Sequence, residues 1–274
     1  VWLELVAPYR VTTPVVLLWA DLYVVAGLLG AMLFGQRWFS AADPFEVYAL
    51  LVAKLSVWGR RGHCLVVRAP LENLDSLIPR PGVVLFVSVL LGSTAYDGFS
   101  NSTAWISWLQ NQTWPTVALG TMTLLAFIAV VVITYSSAVA AAGGLSGTPS
   151  RHLPGKFVHT LVPIALGYVT AHYLTLFLIE GQRTTILVSD PLSLGWNLFG
   201  TAELATNLSF INYPALIALA QAGAVVCGHL LGVISAHDRA LALFPRRTAV
   251  AGQIPLLAVM VGYTVAGLLL LFSV

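Results

Sequence analysis

Two ionisable side chains lie inside apolar stretches, at matching distances from one predicted membrane face. His172 lies eight residues before Glu180, which closes the uncharged run from Phe157 to Ile179. Asp21 lies eight residues into another apolar run that starts at Thr13. At about 1.5 Å per helical residue, both side chains would be about 12 Å deep. Ionisable groups inside a membrane are costly and usually functional, so these two residues are the first candidates for a site.

A third candidate, Asp97, closes an apolar run at the same predicted face. Carboxylates and a neutral imidazole can bind a divalent metal, or can act as a general acid and base. The sequence therefore predicts that Asp21, Asp97 and His172 converge in one outer-leaflet cavity as catalytic groups and metal ligands. In the alternative interpretation, Asp21 and His172 pair only to satisfy each other, and Asp97 is solvated.

The inner group of ionisable residues lies toward the opposite face: His159, His229, His237 and Asp238. His229 is about seven residues from the inner end of its run, and His237 is at the boundary, so both are further candidates for metal ligands. Structural hydrogen bonding is the favoured interpretation of His229. His172 and His229 would differ in depth by about 10 Å, which argues against a haem held between them. The sequence contains no G-x-S-x-G, H-E-x-x-H, P-loop or C-x-x-C motif.

The apolar runs that must position these residues dominate the composition. Of 274 residues, 58% are hydrophobic and only 9% are charged, against about 25% charged in soluble domains. This predicts an all-α polytopic transmembrane bundle that forms a single membrane domain, residues 1–274, in a lipid bilayer. Six full spans are expected, at residues 13–35, 83–99, 117–142, 156–182, 213–236 and 254–274. Residues 1–7 resemble the tail of a truncated helix, so we expect further N-terminal helices in a longer protein.

The segments between the spans carry weaker signals. In the segment 39–80, Asp43 is a predicted N-cap, with Pro44 at the first helical position and Glu46 three residues after the cap. This predicts one interfacial amphipathic helix, followed by a short extended piece at 62–70 and a short helix or turn at 70–79. Residues 101–115 contain three tryptophans and no charge, which predicts a loop at the membrane interface.

The basic residues predict the orientation of the chain. Eleven lie in three segments, 36–81, 143–156 and 237–252, and only Arg10 and Arg183 lie on the other side. This asymmetry makes the three segments cytoplasmic and the C-terminus external, in a bacterial plasma membrane. A net charge of +2 without a basic cluster indicates no nucleic-acid partner.

Small residues recur at every fourth position of the fifth span: Ala220, Ala224, Gly228, Gly232 and Ala236. Such a stripe lets a second helix approach closely. We expect it to pack against another membrane subunit or against a helix of the same chain.

Four phrases resemble a family of actinobacterial multi-pass membrane proteins labelled fenitrothion hydrolase: RWFSAADPFEVYALLVAKLSVWGRR, LLGSTAYDGFSNS, AHYLTLFLIEGQ and GHLLGVISAHDRAL. The resemblance covers nearly all of the chain, and it implies further N-terminal helices and metal-assisted hydrolysis of organophosphate esters. It assigns no role to a particular residue, although five candidates fall within these phrases: Asp97, His172, His229, His237 and Asp238.

Three functions follow from these observations and stay open at the level of sequence. The first is an accessory or structural subunit of a membrane complex. The second is a metal-dependent hydrolase built on Asp21, Asp97 and His172. The third is an ion or proton conduit, which has the least support because no polar chain evident in the sequence links the outer group to the inner one.

Overall fold

The described part of the chain is an all-α bundle with six helices that are long and apolar enough to cross a membrane, as the sequence predicts. The computed structural model describes residues 1–10 and 12–272. In chain order, the helices in this part are α1 (Trp2–Leu5), α2 (Thr13–Phe34), α3 (Arg37–Ala42), α4 (Pro44–Ala53), α5 (Pro70–Leu74), α6 (Val83–Ser100), α7 (Thr103–Gln110), α8 (Thr116–Leu145), α9 (Leu153–Phe157), α10 (Val162–Leu187), α11 (Pro214–Leu243) and α12 (Ala249–Leu271). Short 3₁₀ turns precede α10 and α11, and the first of them joins α9 and α10 into one span, Leu153–Leu187.

The observed spans agree with the predicted ones to within a few residues, except at some ends. The helix α10 continues past Glu180 to Leu187, so Glu180 does not close it as predicted. The extra turns project beyond the bundle, where Phe177 is exposed and Glu180 pairs with Arg183 at 3.0 Å. The last two residues of the predicted sixth span, 273–274, lie outside the described residues.

Asp43 begins α4 as predicted. Its carboxylate accepts hydrogen bonds from the backbone N–H groups of Phe45 (2.8 Å) and Glu46 (3.2 Å), and Pro44 occupies the first helical position. Partial desolvation would raise the pKa of Asp43. Hydrogen bonds from Tyr23 and from the two backbone donors outweigh that effect and lower the pKa below its ordinary value.

The rest of the segment between α2 and α6 also follows the prediction. The predicted extended piece forms β2 (Cys64–Val67), which pairs antiparallel with β1 (Trp58–Arg61), and α5 is the short helix. The loop predicted at residues 101–115 contains α7 instead. Ser102 accepts from the Trp105 N–H at 3.3 Å and caps this helix, and Trp105 stacks on Trp108 at 5.0 Å. The cap and the aromatic contacts explain why a helix forms there.

Small residues bring α10 and α11 into close contact. A Cβ atom at Gly228 would lie 2.6 Å from the carbonyl oxygen of Pro163, and one at Gly232 would lie 2.8 Å from that of Thr160. The predicted stripe therefore does face another helix, and that helix belongs to the same chain. Ala220, at one end of the stripe, is exposed.

The helix α2 is held differently from the other spans. It packs chiefly on α3, and only 6% of its most apolar stretch is buried, against 33% in α6. The contact with the following segment is specific, because the Tyr23 hydroxyl donates to Asp43 at 2.6 Å and a Cβ at Gly30 would overlap the Trp38 ring.

Consecutive spans alternate in direction, so the bundle has two ends. At the Asp97 end, α6 and α10 finish and α8 and α11 begin. At the Asp75 end, α6 and α10 begin and α8 and α11 finish, with Asp75 directly after α5.

Candidate functional site

The structure brings Asp97 and His172 into direct contact at the Asp97 end. Nε2 of His172 lies 2.7 Å from Oδ2 of Asp97, and the two side chains are 19% and 18% exposed. Asp97 occupies the last turn of α6, whereas His172 lies fifteen residues before the end of α10. The two residues meet because α10 packs against α6 and then extends past it.

Neighbouring side chains surround this pair. Asn101 donates to Oδ1 of Asp97 at 3.3 Å, and the Tyr168 ring lies parallel to the imidazole, with their centroids 6.4 Å apart. The edge-on ring of Tyr173 is 4.8 Å from the imidazole, and its hydroxyl donates to Glu4 at 3.4 Å. Helical spacing of four residues could have indicated Asn101 from Asp97 and Tyr168 from His172. Glu4 carries no such signal, because tertiary packing alone brings α1 to this place.

Asp21 is exposed on α2, and it makes no hydrogen bond or ion pair with any residue that the structure describes. Within residues 1–10 and 12–272, no group of three or more His, Cys, Asp or Glu residues could hold a metal ion. Asp97 and His172 thus form a two-residue pair, and participation of Asp21 in a site with them stays a prediction.

A second imidazole–carboxylate contact lies at the Asp75 end. Nε2 of His159 is 3.6 Å from Oδ1 of Asp75, and the same oxygen accepts from Arg239 at 3.2 Å. Arg239 also donates to the carbonyl oxygen of Lys156 at 3.0 Å. The His159 side chain is 3% exposed and the Asp75 side chain 60%. Sequence reasoning placed His159 in the inner group but missed Asp75, which lies in a short connection between spans.

His229 lies between the two ends with one ring nitrogen satisfied. Its Nδ1 lies 2.9 Å from the Val225 carbonyl oxygen, and because a carbonyl can only accept, Nδ1 carries the hydrogen. The buried Nε2 is then an acceptor, and it has no hydrogen-bond partner among the described residues. The favoured structural interpretation of His229 accounts for one nitrogen and not for the other.

His229 lines a small cavity together with Tyr168 and Tyr263, and this cavity has a volume of about 70 Å³. The Tyr263 hydroxyl is 2.7 Å from Thr134, whereas the buried Tyr168 hydroxyl has no partner in the described part of the chain. The lining of the cavity is therefore mainly apolar, with a few polar side chains among the apolar ones.

Two further buried hydroxyl groups, those of Thr160 and Ser235, also have no hydrogen-bond partner in the ranges described. Thr160 precedes Tyr168 by eight residues and is adjacent to His159. Buried polar side chains thus lie at intervals along the span that carries both histidines of the imidazole–carboxylate pairs. The sequence alone had given no reason to connect these groups.

His237 belongs to neither pair. Its Nδ1 lies 2.8 Å from Oε1 of Gln253, at the rim of a mainly apolar cavity of about 310 Å³. It follows His229 by eight residues on α11, a rise of about 12 Å, so the two predicted inner ligands do not share one site.

The fold and these side chains define an all-α polytopic membrane protein with ionisable groups buried among its spans. Comparison with protein-family models, with curated proteins and with solved structures gives no match.

Proposed function

We propose that this membrane protein relays protons, with the Asp97–His172 pair as the group that binds them. The observation that carries the proposal is the series of polar side chains along one span, from the partly buried His172 through the buried Tyr168 and Thr160 to His159. Burying polar groups among membrane helices is costly, so a series of them favours a functional role.

The pair has the chemistry of a proton acceptor. An ionised Asp97 can only accept a hydrogen bond, so Nε2 of His172 carries the hydrogen. Nδ1 of the neutral ring then holds a lone pair that takes up a proton, and the adjacent carboxylate stabilises the imidazolium that results. Both side chains are partly exposed, at 19% and 18%, and we place the entry point for protons at this pair.

The cavity beside Tyr168 and His229 supplies the next step. Its volume of about 70 Å³ exceeds the ~10–15 Å³ that one water molecule needs. The Tyr168 hydroxyl is a donor and Nε2 of His229 is an acceptor, so water between them would complete a hydrogen-bonded path. A proton gained by His229 at Nε2 leaves from the same nitrogen, because Nδ1–H stays bonded to the Val225 carbonyl oxygen. In the proposed path, water carries that proton on toward Thr160 and His159.

The Asp75 end provides contact with water. His159 is buried, but it faces Asp75, whose side chain is mostly exposed. We retain the predicted orientation, with the basic segments in the cytoplasm and the C-terminus outside a bacterial plasma membrane. Protons would then enter at the Asp97 end from outside and leave at the Asp75 end.

The metal-dependent hydrolase that the family resemblance implies would use the same pair. Catalytic zinc sites normally have three protein ligands, and the described residues contain no such group. Hydrolysis at this pair would not require the series of polar side chains along the span, whereas a proton relay would. The relay therefore has more support.

Proton flux into vesicles tests the relay. The purified protein would be reconstituted in phosphatidylcholine–phosphatidylglycerol vesicles that contain a pH-sensitive dye, with valinomycin and potassium to clamp the potential. We expect an imposed pH gradient to collapse faster than in protein-free vesicles, and Asp97→Asn to remove the difference. Glu180→Gln, a matched carboxylate change on the exposed part of α10, should keep the flux. Equal rates with and without the wild-type protein would reject the relay.

A second candidate function, a subunit of a membrane complex, is favoured by α2. This helix is almost unburied, and its intramembrane carboxylate has no partner in the described residues. Both facts are expected of a helix whose remaining surface packs on another protein.

A further inference from the structure

Aromatic contacts fix the rotation of α2 about its own axis. Trp19 stacks on Tyr23 with ring centroids 5.5 Å apart, and both rings meet Phe45 of α4 edge-on. The hydrogen bond from Tyr23 to Asp43, at 2.6 Å, reinforces this arrangement. The side of α2 that carries Trp19 and Tyr23 is therefore committed to the segment that follows.

Asp21 points away from that side. At about 100° per residue, it lies about 160° around the helix from Tyr23. Turning Asp21 toward the rest of the chain would break the aromatic cluster and the hydrogen bond to Asp43. An uncompensated carboxylate is thus held on the outward face of a membrane helix.

The residues around Asp21 have the spacing of a helix-packing seam. Leu17, Asp21, Val24 and Leu28 follow one another at intervals of four, three and four residues, and the three apolar ones are each more than half exposed. This is the heptad spacing at which knobs fit into holes, and one polar residue in such a seam selects its partner and register. We call these four residues the Asp21 face.

We infer that the Asp21 face binds a transmembrane helix of another protein subunit, and that this helix carries an arginine or lysine opposite Asp21. The inference rests on the second candidate function, membership of a membrane complex, and names the chemistry of the partner. A cation fits because it compensates the carboxylate in a medium where an unpaired charge is costly. A second copy of this chain, related by two-fold symmetry, would bring like charges together.

A designed peptide provides a defined probe. One poly-leucine transmembrane peptide has a single arginine at the depth of Asp21, and its matched control has leucine there. The protein, with Cys64→Ser and Cys227→Ser, carries a donor dye at Met32→Cys, and energy transfer to labelled peptide is measured in phosphatidylcholine vesicles. We expect the arginine peptide to bind at least about tenfold more tightly than the control.

The variant Asp21→Leu should abolish this preference. Equal binding of the two peptides, or a preference that survives Asp21→Leu, would overturn the inference. Energy transfer between two labelled copies without peptide would also overturn it, because the face would then take a second copy.

A separate measurement distinguishes this inference from the functions proposed above. The mass of the wild-type protein solubilised from its native membrane reports membership of a complex, and Asp21→Leu should reduce it to that of the single chain. A complex that persists in Asp21→Leu would refute the Asp21 face while leaving membership intact. Asp97→Asn should abolish proton flux and keep the peptide preference, so the relay can fail independently.

Discussion

The two imidazole–carboxylate pairs have their histidines on the same span, lie toward opposite ends of the bundle, and differ in what balances their charge. At the Asp97 end, Asp97 and His172 are buried to a similar extent, 2.7 Å apart, and Asn101 is the additional donor. At the Asp75 end, the imidazole is buried, the carboxylate is mostly exposed, and Arg239 donates to the same oxygen.

That difference separates a group that can change its charge from one that has a fixed charge. Arginine stays protonated at any accessible pH, so it compensates Asp75 whether or not His159 is charged. Asp97 has no such cation within contact distance among the described residues, so its compensation depends on the protonation of His172. We therefore expect compensation of the carboxylate charge to depend on a bound proton at the Asp97 end and on Arg239 at the Asp75 end.

The largest loss of stability should come from displacing the span that carries His159 and His172. In Gly228→Leu, even the first side-chain carbon would lie 2.6 Å from the Pro163 carbonyl oxygen, so α10 and α11 must separate. We expect a destabilisation of at least about 1–3 kcal/mol, the usual cost of overpacking, measured by thermal unfolding in detergent. In the control Gly223→Leu, a Cβ meets no atom within 4 Å, and a similar loss there would contradict this packing argument.

Exchanging each imidazole for an amide compares the two pairs directly. His172→Gln should reduce proton flux on the order of 100-fold, the lower range for loss of an acid–base group. His159→Gln should reduce flux less, because Asp75 stays in contact with water. Vesicle flux measurements decide this, and a larger loss from His159→Gln would reverse the assignment of the proton-binding pair.

Removing the fixed cation should affect stability. Arg239→Leu removes one donor from the Lys156 carbonyl and the arginine that pairs with Asp75. We expect a loss of about 1.5–3 kcal/mol, the usual contribution of a hydrogen bond to a charged group. Arg183→Leu removes an exposed pair with Glu180 and should cost no more than about 1 kcal/mol. Equal melting temperatures for the two variants would argue against a structural role of Arg239.

The smallest effect concerns Asp43, a carboxylate outside both pairs whose role is to begin α4. Loss of this cap in Asp43→Ala should cost about 0.5–2 kcal/mol. Because hydrogen bonds lower the pKa of Asp43 in the folded state, its contribution is complete above its unfolded value, about 3.9. It is lost as pH falls through the lower folded value. Thermal unfolding at pH 7 and below pH 4 should show the difference from wild type fading in acid, and a difference that grows in acid would contradict the shift.

Local signals in the sequence determined the helices and several of their contacts. Runs of apolar residues defined the six spans because the membrane demands that length and composition. Asp43 and Pro44 marked the start of α4, and the small-residue stripe with Gly228 indicated a close helix contact. Each signal acts over a few residues of one helix, so reading it needs no knowledge of the partner.

Only the tertiary structure decided which ionisable residues meet. Depth placed Asp21 level with His172, whereas the contact between His172 and Asp97 arises because α10 packs against α6 and extends past its end. The connection of His159 to Asp75 and Arg239 joins residues 75 to 239, far apart in the chain. Depth is a property of one helix, whereas contact depends on the rotation and neighbours of every helix, which side chains distant in sequence determine together.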